Sequence, residues 1–175
     1  MAKVQQFLRI FLDIVLWRRG PGDLPASGLL VLITLAAYVA VSVAQLALLH
    51  ESPATWLFFL IGDPLLLMAW VWLALRIFGH PERYSQTVSA VLGTGALLGL
   101  VLFLPLQLIV TLSGQEPAST LAQTFGLLLI VVFALVTGRI IKLATGTNLF
   151  NGIALALTYF AIVNALLGVV RGAGS

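Results

Sequence analysis

Five apolar stretches fill most of this 175-residue chain, at residues 27–49, 55–78, 86–112, 119–138 and 148–170. Each has the roughly 20 residues that a helix rising about 1.5 Å per residue needs to cross a hydrocarbon core about 30 Å thick. Hydrophobic residues make up 61% of the chain and charged residues 9%. A soluble domain has about 45–50% and about 25% respectively, so a water-facing surface cannot be assembled from this composition. The expected fold class is all-α: a polytopic membrane protein, with residues 27–170 forming one five-transmembrane-helix bundle. The Pro and Gly residues inside the second and third stretches are compatible with this, because helices in lipid tolerate them.

The basic residues are sorted. Lys3, Arg9, Arg18, Arg19, Arg76, Arg83, Arg139 and Lys142 fall on one side of the five crossings and Arg171 alone on the other. The 50–54 and 113–118 connections hold no Lys or Arg and one Glu each, Glu51 and Glu116. Positive residues stay in the cytoplasm, so the N-terminus is expected there and the C-terminus in the periplasm of a bacterial inner membrane. The net charge of +3 does not point to nucleic acid, because the charges sit in small groups at helix ends. Trp17, Arg18, Arg19, Arg139 and Lys142 are expected to contact lipid headgroups.

Residues 1–20 do not read as a signal peptide, since Arg9 and Asp13 interrupt any apolar core. Val4, Phe7, Leu8, Phe11, Ile14 and Val15 recur at helical spacing, with Lys3, Gln6, Arg9 and Asp13 on the other face. The pattern predicts an amphipathic interfacial helix, ended by Gly20-Pro21-Gly22. Packing on the bundle itself is the alternative that the stripe alone does not separate. Small residues mark the expected helix-packing faces: Ala36, Ala40 and Ala44 in the first span, and Gly93, Gly95 and Gly99 in a central third span.

Asp63 is the most conspicuous polar residue. It lies within LFFLIGDPLLLMAW, about 12 Å below the outer surface, where an unpaired carboxylate costs at least about 2.5–3.5 kcal/mol, so it is expected to face protein or trapped water or to be protonated through desolvation. Pro64 also frees a carbonyl near Leu60. Gln45, Gln107, Gln123 and Asn164 add one polar side chain from each other span at the same level, where Pro105 loosens the third span. These five residues form either a layer of interhelical hydrogen bonds or an outward-facing polar pocket around Asp63. With no cysteine, two histidines and one carboxylate within the spans, the sequence supplies no thiolate metal site and no catalytic pair. Neither a cofactor nor an enzymatic activity is expected.

Three segments, FLRIFLDIVLWRRGP, GHPERYSQTVSAVLGTGALLGLVLFLP and TGRIIKLATGTNLFNGIALAL, together resemble the Yip (Ypt-interacting protein) family of five-span membrane proteins in its short bacterial form. The chain departs from eukaryotic members, which carry an Asp-Leu-Tyr-Gly-Pro type signature and a long cytoplasmic N-terminal region. The resemblance implies the five-span topology and a non-catalytic role. The first expectation for function is an adaptor or accessory subunit of a membrane complex, with membrane lipids, other integral membrane proteins or a second copy of itself as partners. The alternative is a small transporter or lipid-handling protein using the pocket around Asp63.

Overall fold

A computed structural model describes residues 2–49, 52–113 and 116–173, and the side chains of residues 8–48, 52–111 and 125–172. It is helical, with no strand among the described residues. A short helix α1 (Ala2–Val15) precedes α2 (Gly28–Leu49), α3 (Pro53–Ile77), α4 (Pro81–Thr111), α5 (Glu116–Thr145) and α6 (Leu149–Ala173). Helices α2 to α6 contain the five stretches long and apolar enough to cross a membrane. The chain is an integral membrane protein by this architecture.

Helix α4 is the centre. About two thirds of its apolar window is buried, against 17–44% for the others, and an almost continuous buried run extends from Thr87 to Gly99. The outer helices turn residues such as Leu29, Ile77, Phe150 and Val169 outward, which suits a bundle surrounded by hydrocarbon. Thr87 and Thr94 donate to the carbonyls of Arg83 and Ala90 one turn back, so their hydroxyls need no partner helix.

Glycine sets the close approaches. A Cβ on Gly99 would stand 2.8 Å from Val41, and one on Gly95 would stand 3.1 Å from the Tyr38 ring. Helix α2 therefore fits large side chains into the gaps on α4. The expected alanine seam is a correction: Ala36, Ala40 and Ala44 are all exposed. The glycines of α4 already supply the missing volume, so α2 meets them with Thr34, Tyr38, Val41 and Gln45, and the alanines turn outward. A second seam was not anticipated. Gly138 of α5 and Gly152 of α6 bring the two backbones into direct contact, as small residues do between helices in lipid.

Helix α1 packs on the bundle. Phe11 and Ile14 are 3% and 1% exposed, within the main apolar core, and the Phe11 ring covers Gly93. The helix has a second apolar stripe, Leu8, Leu12 and Leu16, which stays exposed. The alternative weighed from the sequence is thus the observed contact for one face of α1.

Helix α5 extends beyond the expected end at residue 138 as far as Thr145. Arg139 and Lys142 therefore lie in its last turns, where cations are favourable, and not in a connection. Gly146, at φ 71°, ends the helix in the left-handed conformation that glycine adopts without strain. Arg83 donates to the carbonyls of Leu143 and Ala144, covering two acceptors left open at that end.

Candidate functional site

Two helices widen at the same level of the bundle. In α3 the segment Phe58–Gly62 is π-helical, with the Asp63 N–H donating to the Phe58 carbonyl. In α4 the segment Gly99–Phe103 is π-helical, and the Leu104 N–H donates to the Gly99 carbonyl. Each widening ends one residue before the dipeptides Asp63-Pro64 and Leu104-Pro105. A proline has no N–H and its ring crowds the carbonyl four residues back, and admitting one extra residue relieves that conflict.

Asp63 sits at the end of the first widening and is 3% exposed. Tyr38 of α2 donates its hydroxyl to Asp63 Oδ2 at 2.6 Å, and Tyr159 of α6 donates to Oδ1 at 2.6 Å. The Tyr159 hydroxyl also lies 3.3 Å from the Asp63 main-chain carbonyl. Both distances lie within the range of O–H···O hydrogen bonds. Three spans are thus tied to one carboxylate, and no Lys, Arg or His forms an ion pair with it among the described residues.

The carboxylate borders a cavity of about 200 Å³ reached by side chains from all five spans. Its polar lining comes from Tyr38, Ser42, Gln45, Asp63 and Tyr159. Its remaining wall is rich in aromatic rings, with Phe59, Phe103, Phe133 and Phe160 joining the two tyrosines. Phe133 and Phe160 meet edge to face at a centroid distance of 5.2 Å. Gly95 and Gly99 also border it, closely covered by Tyr38, Val41 and Gln45 of α2.

The expected polar layer is only partly assembled. Gln45 and Asp63 line the cavity, and Gln45 Nε2 donates to the Gly99 carbonyl at 3.3 Å. Asn164 is exposed and donates to the Phe160 carbonyl of its own helix. Gln107 is absent from the lining, and its Oε1 is buried without a hydrogen-bond partner among the described residues. The side chain of Gln123 lies outside the described residues. Rotation explains the departures. Tyr159, Phe160 and Val163 take the inward face of α6, leaving Asn164 outside. The extra residue in α4 turns everything after Phe103 by about 100° relative to a regular helix.

Tyr38 and Tyr159 were not anticipated, although a signal existed. The chain has three tyrosines, and these two lie mid-span, away from the interfacial belt where tyrosine normally anchors. A tyrosine at depth needs a hydrogen-bond partner, and Asp63 was already in need of donors.

The residues expected at headgroups divide differently. Arg139 donates to the carbonyls of Trp17, Arg19 and Ile14 at 2.6, 3.0 and 3.4 Å, and its guanidinium stacks on the Trp17 ring. It caps the C-terminus of α1 from a distant helix, a contact that the expected headgroup role did not include. Trp17 has φ 65°, a left-handed conformation that costs a non-glycine residue about 1–2 kcal/mol. The Arg18 N–H to Asp13 carbonyl bond and the Trp17 N–H to Ile14 carbonyl bond close a Schellman motif around it. Arg18 and Arg19 pair with Asp13 at 3.9 and 3.5 Å while remaining largely exposed. Lys142 is half-buried in the last turns of α5.

Comparisons of the chain with protein-family models, with curated proteins and with solved structures found no match in any of the three, so nothing in them identifies a Yip family.

Proposed function

We propose that this is a non-enzymatic membrane protein that takes a ligand into the pocket around Asp63, as a small transporter or lipid-handling protein. The observation that carries the reading is the buried carboxylate itself. It borders an open volume of about 200 Å³ and is held by two phenols, with no cationic partner among the described residues. An intramembrane carboxylate that faces a cavity marks a ligand or ion path by default. The two π-helical widenings support the same reading, because such segments concentrate at functional sites. The sorted basic residues support an N-terminus in the cytoplasm of a bacterial inner membrane and a C-terminus in the periplasm. In that orientation Gln45 and Phe59 of the pocket lining lie on the periplasmic side of Asp63. The exposed apolar stripe of α1 fits a helix lying partly in the cytoplasmic headgroup region. The Yip resemblance belongs to the same proposal and supports its topology and non-catalytic character.

The test uses the absence of cysteine from the chain. Ser42→Cys puts one thiol on the pocket wall, and Ser89→Cys puts one at a fully buried position in α4. A membrane-impermeant thiol reagent added from the periplasmic side is expected to modify the first and spare the second. Failure to label Ser42→Cys from either side overturns the pocket reading, and labelling only from the cytoplasm overturns the orientation.

A second reading, an adaptor or accessory subunit working through helix–helix and lipid contacts, has one observation in its favour. The small-residue row Ala36, Ala40 and Ala44 is exposed on the outside of α2, in the spacing that lets helices approach in lipid. Native mass analysis from mild detergent tests it: a monomer free of other chains at every concentration counts against it.

A further inference from the structure

We infer that the ligand of the Asp63 pocket is a small, methyl-rich ammonium cation, of which the choline group is the type; the inference rests on the pocket reading above and names its ligand class.

The charge comes first. The Asp63 carboxylate accepts one hydrogen bond at each oxygen, at 2.6 Å from Tyr38 and from Tyr159. A carboxylate has about four acceptor sites, so two phenols leave acceptor capacity toward the cavity. Hydrogen bonds spread a negative charge without cancelling it. No Lys, Arg or His among the described residues pairs with Asp63, and the nearby lining residues Ser42 and Gln45 are neutral. Among the described residues nothing supplies a positive charge to pair with an ionised Asp63, so the proposed ligand brings it.

The wall then selects the kind of cation. Six aromatic rings border the cavity: Tyr38, Phe59, Phe103, Phe133, Tyr159 and Phe160. Ring faces carry negative potential and attract cations, most strongly when the site is out of water. Hard metal cations are poorly served, because Ca²⁺ wants six to eight oxygens and Mg²⁺ about six, and the lining is mostly ring and aliphatic carbon. A primary ammonium has three N–H donors to satisfy, and most of the lining, ring and aliphatic carbon, offers them no acceptor. A quaternary ammonium has no donors, sheds water readily and presents methyl groups to ring faces. Sites lined by several aromatic rings recognise choline and methylated amines.

Size is consistent. An apolar cavity of about 150 Å³ accommodates benzene, so about 200 Å³ admits a compact trimethylammonium group with a short tail. Gly95 and Gly99 let Tyr38, Val41 and Gln45 pack close to α4 beside the cavity.

The test compares choline with 3,3-dimethylbutan-1-ol, which has the same shape and no charge. Both are titrated calorimetrically into the full chain in nanodiscs of phosphatidylethanolamine and phosphatidylglycerol, which contain no choline lipid. Choline is expected to bind saturably, and the neutral isostere at least about tenfold more weakly, the factor that one buried cation–π and charge contact supplies. Asp63→Asn, which retains an oxygen acceptor, is expected to remove that preference, and Phe133→Leu to weaken choline alone. The isostere comparison needs no variant, so it stands even if Asp63→Asn does not fold. Equal binding of choline and the alcohol overturns the cation class while leaving a pocket that takes ligands. No saturable choline binding overturns the inference, and labelling of Ser42→Cys then reports separately whether the pocket exists.

Discussion

Replacing Tyr159 with Phe deletes the hydroxyl that reaches Asp63 Oδ1 at 2.6 Å and the Asp63 carbonyl at 3.3 Å. In water-soluble proteins a hydrogen bond to a charged group contributes about 1.5–3 kcal/mol. Between membrane helices the average is about 0.6 and the maximum about 1.7 kcal/mol, because chains unfolded within the membrane find other partners. Asp63 belongs near the upper limit, since it is 3% exposed and its two phenols are its only side-chain partners shown. Tyr159→Phe should therefore destabilise the bundle by about 1.7 kcal/mol and Tyr38→Phe, which loses one bond, by about 1 kcal/mol. The two together should exceed their sum, because the carboxylate then has neither donor. Repeating both substitutions on an Asp63→Leu background isolates the contact: each should then be near neutral. Unfolding in mixed micelles, followed through the four tryptophans, measures all eight species. A coupling between Tyr159 and Asp63 below about 0.3 kcal/mol, the limit of ordinary additivity, would refute the clasp.

The α5–α6 seam predicts a sharp contrast between glycines: Gly152→Ala meets the Gly138 backbone and should cost about 1–3 kcal/mol, whereas Gly126→Ala, with open space around it, should be neutral in the same unfolding assay. Gly93→Ala pushes against the Phe11 ring, so hydrogen exchange in α1 should accelerate, and adding Phe11→Leu should restore protection. Arg139→Lys keeps the charge but loses the fork that reaches Trp17, Arg19 and Ile14. Exchange at residues 14–19 should rise nearly as much in Arg139→Lys as in Arg139→Ala, and equal protection in Arg139→Lys and the unaltered chain would show that charge alone suffices.

The spans were legible because hydropathy over about 20 residues has few competing explanations. Packing partners were not. The stripe on α1 records an apolar face, but lipid and protein satisfy it equally until Phe11 is seen over Gly93. The alanines of α2 and the glycines of α4 both read as close-approach signals. Only one side of a seam needs to be small, and Tyr38 and Val41 take the other. In the candidate site, Asp63 and Gln45 were visible as polar residues at depth, while Asn164 and Gln107 were displaced by helix rotation. Pro64 and Pro105 foretold disturbed hydrogen bonding, yet the outcome, an added residue in each turn, depends on neighbours far away in sequence. The basic residues are similarly divided. Charge sorting is a linear property, whereas the use of Arg139 and Arg83 as remote helix caps exists only after the bundle has formed.

The depth of Asp63 and the position of α1 both depend on an odd number of passages with the arginine-rich end inside. Fusing a reporter active only in the cytoplasm, and separately one active only in the periplasm, to each terminus of the full chain measures this directly. The N-terminal fusions should be active only with the cytoplasmic reporter and the C-terminal fusions only with the periplasmic one. Activity of both termini in one compartment would contradict the account.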